Sequence, residues 1–169
     1  MRKWVVAIAC LLAFYMDAVL FRLIGIGTFA PEALIALFVC LGVLMDGAAA
    51  QVTAVLVGLL MDILFNKIVG PSGLFYLGAV LAGSIFRNKY YADNLIIPSV
   101  TAAGIVFVKE HIMLIIVLLT GGRIASYVMI VLTHILPSAL LTGGFTALAH
   151  LVLKSVIYSP LRRKDIDNR

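Results

Sequence analysis

Gly58-Leu59-Leu60-Met61-Asp62 lies near the end of an apolar run, residues 47–65. Residues four apart share a helix face, so the glycine and the carboxylate point into one seam. Glycine lets a second helix come close at that seam, and the aspartate lands beside it. A carboxylate in apolar surroundings is costly and requires a partner or a task. The run is mostly apolar and lacks the period-two alternation of a strand, so it reads as a helix. Its mirror in character is the stretch 112–119, which is apolar at every position. Such stretches argue for spanning helices rather than a barrel.

Composition widens this reading to the whole chain. Of 169 residues, 63% are hydrophobic and 12% are charged, and the mean hydropathy is +1.15. A soluble domain carries about 25% charged residues. An integral membrane protein is expected, with one membrane domain over residues 1–153 and a basic cytoplasmic tail over 154–169. Crossing a hydrocarbon core takes about 20 helical residues. Six apolar segments are predicted, at 4–24, 30–45, 47–65, 73–86, 95–120 and 124–153. The second and fourth are short for a crossing and are expected to tilt little, thin the bilayer locally or re-enter. Met1-Arg2-Lys3 before an apolar run imitates a signal peptide, but Asp17 and Arg22 within that run point to an uncleaved first span.

Lysine and arginine set the expected orientation. With six spans and a cytoplasmic N-terminus, nine basic residues fall inside and three, Arg22, Lys67 and Arg123, fall outside. Lys109 lies within a span. Both termini are therefore predicted to be cytoplasmic. The net charge of +5 reads as orientation and attraction to anionic lipid, not as nucleic-acid binding, for which there is no basic domain.

Several polar residues fall inside the predicted spans. Counted from the cytoplasmic ends, Asp17, Asp62 and Lys109 lie at a similar height, roughly 20–22 Å. Lys109 is expected to neutralise Asp17 or Asp62 across a helix seam. Lys67 and Arg123 are further candidate partners for Asp62. Asp46, before Gly47, is expected to cap the third helix, and Glu32, after Pro31, suits a helix first turn. Gly70-Pro71-Ser72-Gly73 reads as a turn. Pro137 lies inside the sixth span and should kink it. His111, His134 and His150 are single histidines, read as packing or hydrogen-bonding residues. No metal site and no cofactor are expected, because ligands must converge, and Cys10 and Cys40 read as small packing residues. The chain contains no His-Glu-x-x-His, Gly-x-Ser-x-Gly or phosphate-loop motif, so an enzyme is not expected.

Local blocks carry a family resemblance. These are Pro31-Glu32 opening the second span, Gly58-x-x-x-Asp62 ending the third, the Gly70 to Gly73 turn, and Gly78 and Gly83 in the fourth. Together with the size, the six spans and the basic tail, they resemble the rod-shape-determining membrane protein MreD family. The embedded Lys109-Glu110-His111 is not part of that pattern. The resemblance implies a non-enzymatic, multi-pass protein of the bacterial cytoplasmic membrane, in the machinery of cell elongation and peptidoglycan synthesis. Its implied partner is MreC, and indirectly MreB filaments, RodA and the transpeptidase that works with RodA. Binding would be helix on helix, with Gly58 and Asp62 in the critical seam and Pro31, Gly73 and Gly83 shaping the neighbouring contacts. The alternative is a substrate-binding subunit of an energy-coupling-factor vitamin transporter, a six-helix build similar to the MreD family. That reading requires an outward polar pocket, for which Asp17, Asp62, Lys109 and Glu110 are the available lining.

Overall fold

The computed structural model describes residues 3–23, 30–45, 48–65, 70–86, 94–119 and 127–167, without the side chains of Lys3, Val5, Arg22 and residues 156–167. Six helices account for these residues, and no strand occurs among them. Helix α1 begins as Lys3–Tyr15, passes through a π turn at Met16–Leu20 and ends with Phe21–Leu23. Helix α2 is Ala33–Leu44, α3 is Ala48–Phe65, α4 is Pro71–Ile85 and α5 is Ile96–Leu119. Helix α6 begins at Tyr127–Ile130, passes through a π turn at Val131–Ile135 and continues as Leu136–Asp167. The backbone thus stays helical well past residue 153, through the segment expected to be a separate tail.

Three helical stretches, Ala48–Phe65, Ile96–Leu119 and Tyr127–Ser155, are long and apolar enough to cross a membrane. Three others, Val6–Leu20, Ala33–Leu44 and Pro71–Ile85, are apolar but shorter. This pattern is compatible with a membrane protein.

The shortest helix sits at the centre. Every residue of α2, from Ala33 to Leu44, is buried. A helix that is apolar all round has no polar face to give to solvent and belongs inside a bundle. At 12 residues it is about 18 Å long. It can be that short because protein, not solvent or lipid, surrounds it. Helices α4 and α6 make its main walls. Phe38 of α2 packs on Tyr76 of α4 with ring centroids 5.4 Å apart.

Glycine sets how closely these helices meet. A Cβ on Gly42 would lie 2.3 Å from the Val80 carbonyl oxygen, and one on Gly83 would lie 2.4 Å from that of Val39. Helices α2 and α4 therefore touch backbone to backbone. The same holds between α3 and α4, where a Cβ on Gly58 would lie 2.4 Å from Gly73 Cα. Gly73 is not in a turn. Helix α4 begins at Pro71, a residue suited to the first helical position because its missing N–H is not needed there. Gly70 precedes it with φ +121°, a backbone conformation that side chains resist.

Where a kink is expected at Pro137, the helix carries a π turn that ends two residues earlier. Proline has no N–H to give to residue 133 and crowds that carbonyl. The π turn at Val131–Ile135 accommodates the loss without ending the helix. The expected Asp46 cap, and the alternative partners Lys67 and Arg123, lie outside the described residues.

Candidate functional site

A helix that starts deep inside a bundle presents free N–H groups with no water to take them. Helices α2 and α4 both do this, and two aspartates answer it. Asp17, in the π turn of α1, accepts the Ala33 N–H on Oδ1 at 2.8 Å and the Leu34 N–H on Oδ2 at 2.9 Å. Asp62, fully buried near the end of α3, accepts the Gly70 N–H at 2.8 Å and the Ser72 N–H at 3.0 Å, both on Oδ2. Each carboxylate also faces the positive end of a helix dipole. The unfavourable position of Asp62 at the C-terminal end of its own helix is thereby offset by the N-terminal end of the next.

Lys109 has a different partner from the expected aspartates. Its ammonium lies 2.6 Å from Glu32 Oε2 and 3.7 Å from Glu110 Oε1. The reason is geometric. Both oxygens of Asp17 are engaged by backbone donors, and Asp62 is held under the start of α4. Glu32 stands at the N-cap of α2 but makes no capping hydrogen bond with its side chain, which leaves it free to reach α5. Its own N–H donates to Thr142 Oγ1 at 3.0 Å. Glu32 thus serves an ion pair rather than the helix dipole expected of it.

That ion pair predicts a strong coupling. Removing one partner leaves the other charge buried, at a cost of about 3–5 kcal/mol. Removing both leaves neither member of the pair uncompensated, although Glu110 also loses the ammonium at 3.7 Å. A cycle of Lys109→Met and Glu32→Gln, read by reversible unfolding in detergent, is expected to give a double variant more stable than the sum of the single losses. The same cycle with Asp62→Asn in place of Glu32→Gln should be close to additive.

These groups surround a cavity of about 250 Å³ at the N-terminal ends of α2 and α4. Asp17, Pro31, Glu32, Lys109, Glu110 and His134 contribute to its lining, with Phe21, Phe65 and Tyr76 as its aromatic walls. Two of the polar groups, Asp17 and His134, sit on the two π turns. A π turn shifts the register of a helix face and is frequent at functional sites. Glu110 also lies 3.9 Å from His134 Nε2. No grouping of histidine, cysteine, aspartate and glutamate among the described residues is arranged to hold a metal ion.

Not all of the sequence-predicted residues meet at this cavity. Pro31, Asp17 and Lys109 do. Asp62 lies behind it, under the α4 N-terminus, and Gly58, Gly73 and Gly83 form the seams of the bundle. A partner helix cannot use those three glycines, because α2, α3 and α4 of this chain already fill the space. His111 turns back on its own helix, with Nδ1 2.8 Å from the Phe107 carbonyl oxygen.

Sequence reasoning missed a buried polar face on α6. Ser138, Thr142, Thr146 and His150 are all buried. Thr142 donates to the Ser138 carbonyl and Thr146 to that of Thr142, at 2.8 and 2.6 Å. Ser138 donates to the Ala30 carbonyl oxygen at 3.2 Å, and the Cys40 thiol donates to that of Thr146 at 3.8 Å. The signal was present as an unbroken four-residue spacing, which places all four side chains on one helix face.

The fold and site together define an apolar, all-helical bundle with charged groups gathered around one partly open cavity and further polar groups buried between its helices. Comparison of the chain with protein-family models, with curated proteins and with solved structures finds no match.

Proposed function

We propose that this chain is a multi-pass scaffold of the bacterial cytoplasmic membrane, acting in the cell-elongation machinery by helix-on-helix binding to MreC. The observation that carries the reading is the way the resembling blocks join. Gly58 abuts Gly73, Asp62 holds the Gly70 and Ser72 N–H groups, and Gly83 abuts α2. These residues of the resembling blocks lie along the contacts among α2, α3 and α4, which supports the reading, while Gly78 of the same blocks has nothing within 4 Å of a Cβ there. Pro31 lies beside those contacts at the mouth of α2.

In this reading all six helices cross the membrane, with both termini in the cytoplasm. The central α2 crosses within protein, so its short length needs no thinning of the bilayer. Since the glycine seams are filled from within, MreC binds on outward apolar faces. Helix α1 offers one, with Trp4, Ile8, Leu11, Leu12 and Tyr15 all exposed. MreB, RodA and its transpeptidase partner are then reached through MreC. Co-purification after solubilisation in mild detergent tests this. MreC is expected in the eluate, and substitution of Leu11 and Tyr15 by alanine should reduce its yield while the bundle stays folded. Recovery of a bound vitamin with an ATPase module would instead favour the transporter-subunit alternative, for which the cavity is the supporting feature.

A further inference from the structure

We propose that the cavity at the N-terminal ends of α2 and α4 is a binding site for a small organic ammonium ion. Three carboxyl groups, Asp17, Glu32 and Glu110, line it against one ammonium group, Lys109. Their contacts separate their roles. Asp17 gives both oxygens to backbone N–H groups. Glu32 and Lys109 satisfy each other at 2.6 Å. Glu110 is left with Lys109 at 3.7 Å and His134 at 3.9 Å, both beyond hydrogen-bond reach. Among the described residues it therefore accepts no hydrogen bond, although its side chain is only 22% exposed. Held only at those distances by its two neighbours, the carboxylate keeps acceptor capacity for a charged donor that enters the cavity.

The lining also selects the class of cation. A space of about 250 Å³ is many times the ~10–15 Å³ that one water requires, far more than a bare monovalent ion fills. No metal-ligating cluster is present among the described residues. Phe21, Phe65 and Tyr76 stand around the same space, and aromatic rings with a carboxylate suit an alkylated ammonium group, whose charge meets the rings and whose carbon body avoids water. Lys109 does not repel such a ligand strongly, because its charge is already matched by Glu32. The ligand class is that of ethanolamine and choline, either as free amines or as lipid headgroups. The site does not depend on the scaffold reading, since MreC can fail to co-purify while the cavity binds.

The test is a thermal-unfolding titration of the purified, delipidated protein in detergent. The probes are ethylammonium and choline, each beside a neutral isostere, propane and 3,3-dimethylbutanol. A saturable rise in Tm with at least one cation, and none with its isostere, is expected. Glu110→Gln should weaken that response at least tenfold. His134→Lys, which brings an ammonium group to Glu110 from within the chain, should raise the Tm without ligand and abolish the response, and it serves as the test where Glu110→Gln does not fold. Native mass spectrometry before delipidation separates the sources. Retained phosphatidylethanolamine points to a headgroup, and its absence together with choline or ethylammonium binding points to a free amine. The proposal is overturned if neither cation gives a saturable shift, if the neutral isosteres act equally, or if His134→Lys leaves the response intact.

Discussion

Gly58→Leu is expected to abolish the native bundle. Even the first atom of a new side chain at this position would lie 2.4 Å from Gly73 Cα, 2.6 Å from Gly73 N and 2.8 Å from the Ser72 carbonyl carbon. All three are backbone atoms, so no rotamer change relieves the contact. Overpacking against movable side chains costs about 1–3 kcal/mol, and a leucine wedged between two backbones should exceed that range. Parting α3 from α4 would also pull Asp62 from the N–H groups it holds. The measurement is the monodisperse fraction on size-exclusion chromatography and the unfolding midpoint in a denaturing detergent. Gly78→Ala is the matched control. Nothing lies within 4 Å of a Cβ there, and alanine favours helix over glycine by about 0.8–1.0 kcal/mol. Its midpoint should stay level or rise. A folded Gly58→Leu with an unchanged midpoint would refute the close α3–α4 seam.

Asp17→Ala and Asp62→Ala carry the second large effect. Each removes the acceptor for two N–H groups at a buried helix start. At about 1–3 kcal/mol for each unsatisfied group, either substitution should cost about 2–6 kcal/mol. Asp17→Asn sharpens the test. The two Asp17 oxygens take one N–H each, so an amide keeps one bond and turns its own N–H2 towards the other donor. Asp17→Asn should therefore remain strongly destabilising although its shape is unchanged. If the aspartate instead served Lys109, Asp17→Asn would be rescued by Lys109→Met. If it is a cap, that second change makes matters worse, because Glu32 then loses its cation as well.

Much of the architecture was legible in the sequence. The six segments follow from the lengths of the apolar runs, and residues 47–65 and 95–120 differ by only a residue or so at each end from Ala48–Phe65 and Ile96–Leu119. Gly58 was legible as a seam residue because a glycine four residues before a buried acid has few other uses. The cavity was partly legible. Asp17, Lys109 and Glu110 stood out as charges within apolar runs, but their partners did not, since Glu32 and Lys109 are 77 residues apart in sequence. The polar face on α6 was overlooked because serine and threonine are unremarkable one at a time, and only their spacing carries the signal.

Hydropathy determines that this chain forms helices and roughly where each apolar run lies, and that its few charges must find partners, but not that α6 continues to Asp167. It does not determine which helix lies at the centre. Helix α2 carries no charged, amide or hydroxyl side chain, whereas α3 carries Gln51, Thr53 and Asp62. But an apolar residue is satisfied equally by a neighbouring helix and by hydrocarbon, so apolarity alone does not separate a central helix from a lipid-facing one. Tertiary packing makes that choice through the glycine contacts that bring α2, α3 and α4 together. Having enclosed a short helix, it leaves free N–H groups below the surface of the bundle. Asp17 and Asp62 are drawn to those groups rather than to Lys109, because two backbone donors at hydrogen-bond distance are already in place where each carboxylate arrives.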